Sequence, residues 1–228
     1  MFLSTELVLK AYEKGIFPMS DSNHDPYIYW VEPKERGVID LKEFKVSKSL
    51  TKLIRKNIHT VEINSNFEKV INLCAKNKKR KNSWINKQII ENYTKLHKLG
   101  FAKSIECYFD ESLVGGLYGI IVGGIFCGES MFSIRENASK IALTYLAALL
   151  KQGGFKFIDT QFYSDHLQQF GTKKISKNKS NKEEVFLGWI FKSTQYLNSP
   201  NNPIYDIKLE ECLIEDPIFL KKKGIYLK

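Results

Sequence analysis

The stretch SIECYFDESLVGGLYGIIVGGIFCGESMFS, residues 104 to 133, decides the fold. It reads as three strands in quick succession. SIECYF (104–109) ends at an Asp-Glu turn, SLVGGLYGIIV (112–122) follows, and GGIFCGESMFS (123–133) is the third. Six of the fourteen glycines lie between Gly115 and Gly128. Glycine weakens strands, so this density points either to bulges and the close approach of a ligand or to tight sheet packing. Glu129 stands in the third strand among Phe126, Cys127, Met131 and Phe132. A carboxylate buried there costs free energy unless it has partners.

Downstream, NASKIALTYLAALLKQGG carries the clearest helical period. Ala138, Ile141, Ala142, Tyr145, Leu146, Leu149 and Leu150 share a face, and Gly153 and Gly154 stop the helix. FKFIDTQF (155–162) then reads as a buried strand with Asp159 and Gln161 two apart, hence on one face. A short helix at SDHLQQFG and a strand at TKKI follow. The run SKNKSNKEE is a charged loop, FLGWIFKSTQYL reads as a last helix, and the segment after Ser199 as a loose tail.

Upstream, TELVLKAYEKG reads as a short helix stopped by Gly15, after which Ile16, Phe17 and Pro18 turn the chain. YIYW (27–30) and RGVIDL (36–41) read as strands and SKSLTKLIRKN as a basic helix. Together these form a small N-terminal unit. Helices are expected from Asn66 and over WINKQIIENYTKLHKLG. The resulting domain expectation is 1–62 for the N-terminal unit, 63–192 for a catalytic domain and 193–228 for a C-terminal tail.

A meander of three strands, an amphipathic helix, then strand, helix and strand is an α+β order. It matches the GNAT-like N-acetyltransferase arrangement. That class usually opens the helix after its third strand with a glycine-rich pyrophosphate loop. The junction here, SIRENASKIA, has no glycine, which argues against an acetyl-coenzyme A enzyme.

The 228 residues carry a formal charge of +10, with 43% hydrophobic and 26% charged residues. The chain is globular by composition. No apolar run approaches the roughly 20 residues of a membrane helix, so no membrane partner and a cytoplasmic location are expected. Cys74, Cys107, Cys127 and Cys212 form no CxxC pair, so neither disulfides nor a zinc site is expected. The basic balance fits an anionic partner or, equally, a lysine-rich genome. Position favours the partner: basic residues concentrate in VSKSLTKLIRKN (46–57) and AKNKKRKNSW (75–84), and the second cluster runs into Trp84. Cations beside aromatic rings are a means of holding single-stranded nucleotides.

Glu129, Asp159 and Gln161 converge if their strands pair. Such a set is either a ligand site or a hydrogen-bonded core network. AYEKGIFPM, WVEPKERGVI, SWI, YTKLHKLGFAKSIE, LVGGLYGIIVGGIFCGESMF, NASKIAL and FIDTQFYSDHLQQFG occur in this order. The series resembles the bacterial leucyl/phenylalanyl-tRNA–protein transferases over roughly residues 5 to 175, and looks most like their alphaproteobacterial branch.

The resemblance implies transfer of Leu, Phe or Met from charged tRNA to the N-terminal Lys or Arg of an acceptor protein, marking it for degradation. It also implies a monomer that uses neither metal nor coenzyme A. By the same likeness, Gln161 aligns the attacking amine with Asp159 as orienter, and Glu129 holds a cationic amine. Trp30, Trp84 and Tyr93 contact the 3′-adenosine end, and Met131 and Phe132 wall the aminoacyl pocket. Leu143 and Leu146 are either further walls or plain core. Lys48, Arg55, Lys56, Lys78, Lys79, Arg80 and Lys81 grip tRNA phosphates, while His97 and His166 are structural. SWI stands where the family has TWI, and the family's C-terminal arginine is replaced by SKNKSNKEE. Two alternatives stay open: another tRNA-dependent aminoacyltransferase on the same scaffold, and a catalytically silent tRNA-binding module.

Overall fold

A computed structural model of the chain describes residues 3–76 and 83–176. The expected helix at 186–197, the C-terminal tail, Cys212 and the cluster Lys78 to Lys81 lie outside these residues.

The elements are α1 (Thr5–Glu13), β1 (Phe17–Met19), β2 (Tyr29–Val31), β3 (Glu35–Asp40), α2 (Lys48–Arg55), β4 (Thr60–Ile63), α3 (Phe67–Ala75), α4 (Lys87–Lys98), β5 (Ala102–Phe109), β6 (Ser112–Val122), β7 (Ile125–Ser133), α5 (Ala138–Gln152), β8 (Phe157–Gln161), α6 (Asp165–Gln168) and β9 (Lys173–Ser176). Side-chain caps fix several helix starts. Ser4, Ser47 and Asn86 each accept a backbone N–H from the first turn of α1, α2 and α4, satisfying donors that the helix itself cannot.

Seven strands form one sheet in the order β4-β5-β6-β7-β8-β3-β9, and β1 and β2 form a separate two-stranded ladder. All neighbours in the large sheet are antiparallel except β7 and β8. A parallel pair needs a long crossover, and α5 supplies it between β7 and β8. The meander β5-β6-β7 occurs as its sequence indicates. Helices cover both faces. One core cluster unites α2, α5 and one face of the sheet through Leu50, Ile54, Leu117, Phe126 and Leu146. The other unites α1, α3, α4 and the opposite face through Val8, Val70, Ile89, Tyr93 and Phe132. Coverage on both sides explains why β6 reads as a nearly unbroken apolar run.

Several expectations need correction. The sequence Phe17–Met19 is not a turn but a strand, whose Pro18 faces Trp30 across a two-stranded ribbon. There Pro18 interrupts no central ladder. The strand expected at 27–30 is shorter and later, at Tyr29–Val31, because Asp25 Oδ1 accepts the Tyr27 N–H and holds that residue in a turn. Residues 60–63, assigned to no element, pair with β5 as an edge strand. β3 lies in the large sheet, between β8 and β9. α5 is buried on nearly all sides, not on one face alone, since it is enclosed by the sheet on one side and α2 and the Leu41–Glu43 turn on the other.

Three of the clustered glycines, Gly115, Gly116 and Gly119, leave no room for a Cβ. A Cβ at Gly115 would lie 2.4 Å from Ala138 Cβ and 2.9 Å from the α5 backbone, and one at Gly116 would lie 2.8 Å from the Ile105 carbonyl oxygen. Gly115 therefore lets the start of α5 seat directly on β6. Gly115→Ala should destabilise the protein by about 1–3 kcal/mol in urea unfolding, because the helix must shift to admit the methyl. Gly128→Ala, whose nearest non-local atom is 3.5 Å away, should cost under about 1 kcal/mol. Equal losses at the two positions would contradict this packing account.

Candidate active site

β7 and β8 run side by side for only three residue pairs, the last being Cys127 with Asp159. Two local irregularities then separate them. On β7, Gly119 faces Gly128 while Tyr118 faces Ser130, so Glu129 is the extra residue of a β-bulge. The bulge reverses the alternation of side chains. Before it, Ile125 and Cys127 belong to the α3–α4 face; after it, Phe132 does and Met131 packs on the α5 face. On β8, Gln161 adopts a left-handed backbone with φ of 60°, an uncommon state for a residue with a side chain. The strands part, and a cavity of about 710 Å³ opens between them and reaches α5. Its apolar wall includes Leu117, Phe126, Met131, Leu143, Leu146 and Ile158. That size and lining suit a small-molecule group.

Glu129 lines this cavity and is 7% exposed. Gln161 Nε2 donates to its Oε1 at 2.7 Å. The Tyr12 hydroxyl from α1 donates to the same oxygen, and the Tyr93 hydroxyl from α4 donates to Oε2 at 3.2 Å. The two phenol oxygens are 2.7 Å apart. No cation is among these donors. Burial pushes the Glu129 carboxyl up to about 7, although the hydrogen bonds from Tyr12, Gln161 and Tyr93 pull the other way. Burial likewise pushes both phenols well above their usual range, and the nearby Glu129 charge adds to it. The carboxylate is thus solvated by neutral donors and poised to accept a positive group or a proton.

Asp159 is 1% exposed and differently placed. Its Oδ1 accepts the Gln161 backbone N–H at 2.8 Å, and its Oδ2 accepts from Arg36 Nη1 at 2.5 Å. Arg36 Nη2 donates to the Gly15 carbonyl oxygen just after α1. Burial raises the Asp159 carboxyl while Arg36 opposes the rise. Asp159 therefore orients Gln161 through the main chain, not through the carboxamide, and its charge already has a partner.

The sequence-predicted residues divide into groups. Glu129, Asp159 and Gln161 come together. Trp84, Met131 and Phe132 line the same cavity, as do Leu143 and Leu146, which also belong to the core. Tyr93 is fully buried and reaches the site through Glu129, not through the cavity wall. Trp30 sits on β2, half-buried against the core, outside the cavity lining. Lys48, Arg55 and Lys56 are exposed on α2, on the face of the sheet opposite Tyr12 and Tyr93. His97 Nδ1 donates to the Ala102 carbonyl oxygen and the ring stacks on Phe67, whereas His166 stands on the cavity rim. Sequence reading missed Tyr12, which sits in AYEKG among ordinary helix residues, and Arg36. The signal for Arg36 was available: a cation entering the apolar strand RGVID needs a buried acid.

The pKa displacement at Glu129 has a measurable consequence. A rise from 4.5 to about 7 corresponds to roughly 3 kcal/mol against the charged form. Below pH 4.5 the group is protonated folded or unfolded, and the penalty is absent. Stability is lost as pH rises toward 7 and the folded protein must ionise it. Glu129→Gln removes this dependence. In urea unfolding between pH 4 and 8, stability of the wild type relative to E129Q should fall with rising pH and level off above about 7. A difference independent of pH would show that Glu129 is not held in this state.

Comparison with known proteins follows the same residues. The model of the family described as leucyl/phenylalanyl-tRNA protein transferase matches residues 38–183, and that of its N-terminal domain matches residues 1–34. Leucyl/phenylalanyl-tRNA–protein transferases of Ruegeria sp. (strain TM1040) and Maricaulis maris are 46% and 47% identical over 177 and 174 residues. These matches cover 78% and 76% of this chain and 83% and 81% of the relatives. That of Zymomonas mobilis is 49% identical over 176 residues, covering 77% of this chain and 66% of the relative. Among solved structures, FemX aligns with a TM-score of 0.48 at 10% identity, over 82% of this chain and 65% of that one. The chain belongs to the leucyl/phenylalanyl-tRNA protein transferase family.

Proposed function

We propose that the protein transfers Leu or Phe, and also Met, from aminoacyl-tRNA to the N-terminal Lys or Arg of acceptor proteins. The observation that carries this reading is the pairing of Glu129 with Gln161 in the lining of an apolar-walled cavity. Ester aminolysis needs little more. The α-amine of the acceptor attacks the carbonyl that joins the amino acid to the tRNA 3′ oxygen. The new C–N bond forms as that C–O bond breaks, and the proton that the amine gives up ends on the leaving 3′ oxygen, which departs as a hydroxyl. A free α-amine has a pKa of about 7.7 to 8.0, so an appreciable fraction is neutral near pH 7 and positioning supplies much of the rate.

The residues fit these roles. Gln161 donates its Nε2 to Glu129 and so turns its carbonyl oxygen to the amine. Glu129 offers its negative charge to a cationic amine, whose arrival draws the carboxyl back toward its ionised form. Asp159, paired with Arg36, positions Gln161. Met131, Phe132 and Leu146 receive an aliphatic or aromatic side chain, and methionine adapts to both shapes. Trp84 at the cavity and Trp30 beyond it are offered to the terminal adenosine, while Lys48, Arg55 and Lys56 bind phosphates, as do Lys78 to Lys81. We read the parted β7 and β8 as the GNAT-like feature of the fold, used for an aminoacyl ester. The protein is taken to act as a cytoplasmic monomer, with residues 1–62 as a small N-terminal domain and 63–192 as the catalytic domain.

The decisive assay gives the protein leucyl-tRNA labelled in the amino acid and a peptide beginning with Arg. Labelled peptide is expected, and E129Q should lower transfer roughly 100-fold while tRNA affinity stays within about threefold. Retained tRNA binding with no labelled peptide overturns the reading. Binding should also weaken steeply with salt, and the triple variant K48A/R55A/K56A should flatten the log–log slope by roughly 2. An unchanged slope would remove α2 from the tRNA contact.

A further inference from the structure

Beyond Gln161 the chain leaves β8 and crosses the start of β3. A Cβ at Gly37 would lie 2.9 Å from the Phe162 carbonyl oxygen and 3.0 Å from Tyr163 Cα, so this segment sits directly on the β3 backbone. The Phe162 ring meets buried Phe17 edge-on at 5.5 Å and stays 46% exposed. Phe162 lines the cavity that holds Glu129 and Gln161, and it also lines a second pocket of about 340 Å³. Pro33, Lys34, Glu35, Tyr163 and Lys174 complete that pocket. The two spaces adjoin at one ring, and the chemistry of the transfer leaves the second without an occupant.

The lining has the composition of a nucleotide platform. Tyr163 contributes a half-buried ring, with Lys174 Nζ 4.9 Å from its centroid. Lys174 also pairs with Glu35 at 3.2 Å. Lys34 is exposed and makes no ion pair among the described residues. Two lysines against one glutamate leave the pocket net positive. Rings beside cations hold single-stranded nucleotides, because the base stacks while the phosphate meets the cation.

We propose that this pocket holds the nucleotide next to the terminal adenosine of the donor tRNA, with its base on Tyr163 and its phosphate toward Lys34 and Lys174. The proposal rests on the transfer reading above and extends the donor contacts by one nucleotide. Two features select RNA over the acceptor polypeptide. The acceptor's first residue is cationic at its amine and again at its side chain, and a net positive pocket repels it. The aminoacyl group and the adenosine are given to the cavity and Trp84, and the tRNA end that carries them is unpaired, so its next base is free to stack. Every base has a π-face, so the pocket adds affinity without reading sequence.

The test offers the protein two donors, with the peptide Arg-Ala-Ala-Ala-Ala amide as acceptor. One is leucyl-tRNA; the other is leucyl-tRNA with an abasic ribose in place of the nucleotide before the terminal adenosine. In the wild type the abasic donor should show a KM raised about tenfold. Tyr163→Ala should raise the KM of the intact donor about as much, and the abasic donor should then lose no more than about threefold further, since one stacking contact is lost only once. Tyr163→Phe keeps the ring and should stay within about twofold of the wild type, as should the KM of the acceptor peptide throughout. Tyr163→Leu replaces Y163A if the latter does not fold. An abasic donor used as well as the intact one overturns the nucleotide pocket and leaves the transfer reading intact. So do penalties that multiply to about a hundredfold in the variant, a Y163F as impaired as Y163A, or a KM raised for the acceptor instead of the donor. A wild type that moves no leucine from the intact donor overturns the transfer reading and this proposal with it.

Discussion

A carboxylate in the lining of a cavity walled by Phe, Met and Leu side chains can exist only if donors from distant parts of the chain reach it. Glu129 meets that requirement with Tyr12 of α1, Tyr93 of α4 and Gln161 of β8. Much of the architecture follows. α1 and α4 must lie on one face of the sheet, and β7 must bulge at residue 129 to turn the carboxylate toward them. β8 must end in a left-handed residue so that Gln161 crosses the gap. The same bulge and turn part the strands, so the features that hold the charge also create the space beside it.

The second acid shows how much context decides. Asp159 is buried more fully than Glu129, yet Arg36 compensates it at 2.5 Å. Removing one partner of such a pair leaves an unpaired buried charge, which is strongly destabilising. β3 therefore has to lie beside β8, although it belongs to the first forty residues of the chain. Of two acids thirty residues apart, one is fixed in a structural ion pair and the other is held by neutral donors alone. Only the latter has charge to offer a ligand.

Local periodicity made the β5-β6-β7 meander, α5 and β8 legible in the sequence, because each is long or flanked by glycine stops. β1 and β4 were not legible. FPM contains a proline and reads as a turn, and TVEI is a four-residue edge strand, half-exposed on its better-covered side. The place of β3 was equally hidden, since its partners lie more than a hundred residues away. In the site, the polar residues standing in apolar strands identified Glu129, Asp159 and Gln161. Tyr12 was hidden because a tyrosine on the apolar face of a helix is normal core. Tyr93 was among the expected site residues, but its link to Glu129 depends on the bulge, whose place at residue 129 the glycine density did not fix.

The interactions close on themselves. Tyr12 binds Glu129, Glu129 binds Gln161, Gln161 binds Asp159 through its backbone, and Asp159 binds Arg36. Arg36 returns to the carbonyl of Gly15, three residues after Tyr12. A left-handed non-glycine residue costs on the order of 1 kcal/mol, and this ring offsets that cost at Gln161 from both its backbone and its side chain. Each member is anchored on an element packed into the sheet, so none can swing away without leaving a buried polar group unmet. A reaction that needs no strong base, only an amine held against an ester, depends on such fixed placement. In the proposed transfer two termini of different substrates must meet within about 3 Å, and on that reading the rigid ring between the sheet and α1 sets where they do.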